Sequence, residues 1–181
     1  MPNLCFPASF VRDLKEKYPQ ITAEVHMMVD HPEDYVRQMK EYGADWLSFH
    51  LDSTRFVCRT AKAIRKEGMK AGVVLNPSQP VSQLAPAAKY VDYVIFMAVE
   101  PGFSGQRFME GAMERLEQLC EFRRETGLDF KIVIDGGMDY VTAKKCVELG
   151  ADILVTGIYM QFRQPDGIMG ACERFRNTFG R

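Results

Sequence analysis

A chain of 181 residues with 46% hydrophobic content is long enough to bury a sizeable core as one domain, and too apolar to be disordered. Its formal net charge of −1 gives no electrostatic case for nucleic acid. No run reaches the roughly 18 apolar residues of a membrane span, and the first residues lack the charged and apolar regions of a secretion signal, so a cytoplasmic protein is expected.

In chain order, a short amphipathic helix is predicted over 8–18, with Phe10, Val11 and Leu14 on one face. Thr22–Val29 reads as a strand. Pro32 opens a helix with Tyr35, Val36 and Met39 at helical spacing, ended by Gly43. Asp45–Leu51 is a strand, 54–67 a helix closed by Gly68, and Lys70–Leu75 a strand stopped by Asn76-Pro77. A short helix near 81–88 precedes the strand Val91–Val99 and the loop Pro101–Gly105. A long helix over 111–126 ends at Gly127. The strand Lys131–Ile134 leads into Asp135-Gly136-Gly137, and a helix over 140–149 follows. Asp152–Thr156 is the last strand and 168–178 the last helix.

Strands and helices alternate throughout, which calls for a parallel sheet with right-handed crossovers. A closed eight-stranded barrel needs more strands and usually at least about 200 residues. The six strands here make either an open sheet or a barrel with its first two β-α units absent. The triplet Gly-Ala-Asp occurs before two strands, at 43–45 and 150–152, a weak sign of a repeated unit. The five cysteines (5, 58, 120, 146 and 172) are scattered and form no C-x-x-C, as reduced thiols in a core do.

In parallel α/β folds, ligands gather at the C-terminal ends of the strands. Those ends carry His26, His50 with Asp52, Asn76, Met97, Asp135 and Gly157. A histidine on a strand is commonly a satisfied core residue. Histidine and aspartate at the tips of different strands of one sheet make a metal or proton-transfer site a fair competitor. Asp135-Gly136-Gly137 is open to two readings, a capped turn or a functional carboxylate beside a backbone anion site. The loops at 101–105, 136–137 and 157–159 could together cradle a phosphate, mostly through backbone N–H groups, since no lysine or arginine is forced there.

These residues also carry a resemblance. Val25-His26-Met27-Met28-Val29, Asn76-Pro77, the run from Met97 through Val99-Glu100-Pro101-Gly102-Phe103-Ser104-Gly105 to Gln106, and Ile134-Asp135-Gly136-Gly137 are similar, in order and spacing, to the motifs of the ribulose-phosphate 3-epimerase family. The resemblance covers nearly the whole chain. It implies a TIM-type (β/α)8 barrel, here with about six β-α units as one domain over 1–181. It also implies interconversion of D-ribulose 5-phosphate and D-xylulose 5-phosphate, a step of the pentose phosphate pathway, with a divalent metal. Zn, Fe, Mn and Co all suit a His/Asp set. Residue by residue, it implies that His26 and Asp135 bind metal and that Asp135 is an acid/base. His26 would also contact substrate. Phosphate binding falls to Gly102, Phe103, Ser104, Gly105, Gly136, Gly137, Gly157 and Ile158, and Met28 and Met97 line the mouth.

Two departures stand out. Met1-Pro2-Asn3 matches the family's segment after its second strand. The family residues before that point include a histidine and an aspartate that bind metal, the aspartate being the second acid/base. The family's Gly-Ser in the last phosphate loop is Gly157-Ile158 here, which removes a hydroxyl. Rival expectations are an epimerase of another ketose phosphate, such as allulose 6-phosphate, and an inactive phosphate-binding or subunit-interaction fragment. The open edges of an incomplete barrel predict a homo-oligomer, a dimer or larger.

Overall fold

The computed structural model describes residues 6–180, so Met1-Pro2-Asn3 and Cys5 lie outside the described residues. Six strands form one sheet among these residues: β1 Glu24–Met27, β2 Trp46–His50, β3 Lys70–Leu75, β4 Tyr93–Met97, β5 Lys131–Asp135 and β6 Ile153–Leu154. Their spatial order is their sequence order, and every neighbouring pair is parallel. A doubly wound sheet would reverse its strand order at a switch point. Unbroken order winds in one direction only, as in an arc of a β/α barrel.

Alternation along the strands makes two cores. Val73 and Leu75 of β3, Val94 and Phe96 of β4, and Ile132 and Ile134 of β5 face outward into the layer under the helices. Val74, Tyr93, Ile95, Met97, Val99 and Val133 pack together on the concave side. The Tyr93 ring lies over Gly72, where an added Cβ would sit 2.3 Å from its Cζ. These strands are apolar on both faces because both faces are covered.

The described residues hold six α-helices, α1 Phe10–Lys17, α2 Val36–Glu41, α3 Val57–Lys66, α4 Ala112–Thr126, α5 Tyr140–Leu149 and α6 Gly167–Phe179, of which α2 to α5 lie between strands. The start of α5 is set by a capping box. Asp139 accepts from the Thr142 amide at 2.8 Å, and Thr142 Oγ1 accepts from the Asp139 amide at 2.9 Å.

Several expectations need correction. The helix expected from Pro32 opens as a 3-10 turn, Pro32–Tyr35, before the short α2. The one expected near 81–88 is two 3-10 turns, Val81–Leu84 and Ala88–Tyr90. Pro86, which has no N–H to donate, falls between the two turns, although Ala85 before it keeps helical backbone angles (φ −50°, ψ −44°). Helix α1 has no fully buried residue, and Phe10, 42% exposed, stacks on Phe6 rather than on the core. The last strand is two residues long, Ile153–Leu154, and pairs with β5.

The Gly-Ala-Asp repeat has a structural cause. Asp45 Oδ2 accepts from the Ala23 amide at 2.8 Å, and Asp152 Oδ2 accepts from the Ile132 amide at 2.9 Å. Asp92, without the triplet, does the same for Ala71 at 2.8 Å. Each carboxylate sits just before one strand and closes the amino end of the preceding one. This rim is opposite the candidate site and serves stability.

Candidate active site

At the carboxyl ends of the strands lies a cavity of about 290 Å³. Its wall includes Met28, Met97, Asp135, Gly136, Gly137, Gly157, Ile158 and the loop from Gly102 to Gly105. All the substrate-side residues singled out from the sequence thus converge, except His26, which stands behind Asp135. Among the described residues, no lysine or arginine lines the cavity.

Asp135 ends β5 and pairs in register with Met97 of β4. The Ala98 amide donates to the Asp135 carbonyl at 2.8 Å and carries the ladder one step further. Gly136 and Gly137 then turn away with φ of +114° and +63°. A Cβ on Gly137 would lie 2.1 Å from the Phe108 nitrogen, and one on Gly136 would lie 2.4 Å from Val99 Cγ2. Both positions need glycine for backbone conformation and for space.

The loop after β4 is held by side chains. Gln106 Nε2 donates to the Glu100 and Phe103 carbonyls at 2.6 and 2.9 Å. Tyr159 Oη donates to the Gly105 carbonyl at 2.6 Å, tying this loop to the segment after β6. That segment is a turn of π type, Ile158–Phe162, where the sequence reading expected an irregular loop. Its bonds run from the Phe162 amide to Gly157 and from the Arg163 amide to Ile158. The sequence places Tyr159 in the loop 157–159, but its bond to Gly105 leaves no periodic signal there.

His26 and His50 sit on the neighbouring strands β1 and β2, and their Nε2 atoms are 2.8 Å apart. His50 Nδ1 lies 2.8 Å from Asn76 Oδ1, and Asn76 Nδ2 donates to both Asp52 oxygens at 3.1 and 3.2 Å. Burial, with the His26 ring adding to it, pushes His50 down to about 4, against the pull of the Asn76 hydrogen bond. His50 is therefore neutral near pH 7. Arg115 supports the same corner by donating to the Asn76 and Gln79 carbonyls at 2.8 and 3.2 Å, its guanidinium over the Phe96 ring.

His26 Nδ1 faces Asp135 Oδ2 at 3.7 Å. For an ion about 2.1 Å from each atom, a tetrahedral angle separates them by about 3.4 Å. The donor types and the spacing suit two ligands of one divalent cation. Among the described residues, no group of three or more His, Cys, Asp or Glu side chains is placed to hold a metal.

Comparison with known proteins now gives this site its context. The model of the ribulose-phosphate 3 epimerase family matches residues 1–161. The chain belongs to that family. It is 38% identical to ribulose-phosphate 3-epimerase of Treponema pallidum (strain Nichols), over 87% of this chain and 72% of that protein. With the Aquifex aeolicus (strain VF5) protein of the same name it shares 35% identity, over 94% and 73%. Among solved structures, a ligand complex of KGPDC from Streptococcus mutans superposes with a TM-score of 0.75 at 16% identity, covering 94% of this chain and 78% of that one. A 3-hexulose-6-phosphate synthase gives 0.72 at 16%, over 94% and 80%. Likeness at that identity speaks for the barrel-type fold alone.

Proposed function

We propose that the family's cavity here works as a ribulose-phosphate 3-epimerase site, interconverting D-ribulose 5-phosphate and D-xylulose 5-phosphate through proton transfer at C3. The observation that carries this reading is the convergence of Asp135, His26 and three glycine-bearing loops on one rim, within a chain whose relatives bear that enzyme's name. The relatives do not favour an epimerase of another ketose phosphate or an inactive fragment.

Asp135 takes the proton from C3, which is acidic because it lies alpha to the ketone. Its carboxylate stands at the cavity wall, close enough to His26 for the two to share one divalent cation. Such a cation would supply charge to the oxygens of the enediolate. Inversion requires a second acid/base on the other face of C3. The sugar's phosphate lies against the backbone of Gly102–Gly105, Gly136-Gly137 and Gly157-Ile158, where amides rather than cationic side chains meet it. Met28 and Met97 line the wall beside the carbon chain and exclude water.

Incubation with D-ribulose 5-phosphate and a divalent metal in deuterated water, followed by NMR, tests the reading. Deuterium at C3 of the sugar phosphate is the expected result, with xylulose 5-phosphate formed where a second acid/base completes the inversion. Substrate that retains its C3 proton under these conditions overturns it.

A further inference from the structure

The hydrogen-bond chain behind His26 reaches further than the cation pair just proposed, and only its last link rests on that reading. Asp52 meets Asn76 Nδ2 with both oxygens. A carboxylate offers no proton, so the Asn76 amide must turn its NH2 toward it and present Oδ1 to His50. An amide oxygen only accepts, so His50 Nδ1 carries a proton. His50 is 3% exposed and, among the described residues, its ring nitrogens meet Asn76 and His26 rather than a carboxylate. A neutral ring protonated at Nδ1 has a bare Nε2. That atom lies 2.8 Å from His26 Nε2, which must then be the donor. A cation takes an imidazole nitrogen only through its lone pair, so a His26 that donates from Nε2 to His50 offers Nδ1, on the side of Asp135.

We propose that Asp52, Asn76 and His50 are positioning residues that select the tautomer of His26 and keep its Nδ1 free for a divalent cation shared with Asp135. Ligating histidines ordinarily have their second nitrogen fixed by a carboxylate, carbonyl or water. Here a second imidazole takes that place, and its own direction is set by an amide that a carboxylate orients.

The chain has three histidines, and the third, His31, is exposed, so long-range proton–nitrogen NMR of the metal-free protein shows three resolvable rings with His31 as the solvent-exposed reference. Expected are a protonated Nε2 with a bare Nδ1 at His26, and the reverse at His50. In Asn76→Leu the His26 signals should move toward a mixture of tautomers, and Co(II) affinity by absorption titration should fall about 10- to 100-fold. Asp52→Asn, at an exposed position, frees the amide to flip and should give the same direction of change if Asn76→Leu does not fold. A proton on His26 Nδ1 in the parent protein overturns the proposal. So does an unchanged His26 tautomer and cobalt affinity in Asp52→Asn. The expected tautomers in a parent protein that binds no cobalt would overturn the cation pair while upholding the hydrogen-bond chain.

Discussion

His26 Nδ1 and Asp135 Oδ2 lie 3.7 Å apart although three strands separate β1 from β5 in the sheet. In a flat sheet, four strand spacings of about 4.8 Å would hold such residues about 19 Å apart. The short distance records how strongly the sheet curls, and it makes one site from two ends of the chain.

Replacing Asp135 by Asn keeps the shape of the side chain and removes its basicity. C3 proton exchange should fall by about 100-fold or more, with an unchanged circular dichroism spectrum. Exchange retained near the parent rate would take the acid/base role away from Asp135.

Gly137→Ala places a Cβ against the Phe108 backbone at a positive φ. Backbone cannot yield as a flexible side chain can, so a loss of about 2 kcal/mol or more is expected by chemical denaturation. The loop shift should also raise KM for the sugar phosphate. A denaturation midpoint equal to that of the parent would contradict this account of the turn.

Acid should loosen the opposite rim first. Burial tends to raise the Asp45 and Asp152 carboxyls, but the Ala23 and Ile132 amides with Lys15 and Arg123 outweigh it and hold both below the usual 3.8. A folded value below the unfolded one binds fewer protons in the fold. The stability it contributes is therefore complete above the unfolded value and lost as pH falls through the folded one. Urea midpoints should decline below about pH 4. Asp45→Ala should flatten that decline and cost about 1–3 kcal/mol at neutral pH by stranding the Ala23 amide.

Strands β1 and β6 each pair on one side only among the described residues, and Val155 and Phe162 beside the cavity are exposed. Unpaired strand edges invite pairing with a second copy. Sedimentation at micromolar concentration should show a dimer or larger species. A stable monodisperse monomer would refute the expected association.

Much was legible in the sequence alone. The six strands, their alternation with helices and the parallel sheet followed from local patterns: β-branched runs, helical spacing and glycine stops. The motif around Pro101–Gly105 pointed to the family, because glycine loops and an aspartate at a strand tip leave a local trace. The short 3-10 turns at 81–90 and the π-type turn at 158–162 were not legible, since neither is long enough to show a period and the second is tied by the Tyr159 contact. Only the tertiary structure decided that His26 meets both His50 and Asp135, that Asn76 stands between His50 and Asp52, and that Tyr159 clasps Gly105. The physical reason is curvature and register. Periodicity says which face a residue takes, but the distance across the mouth depends on how far the whole sheet coils.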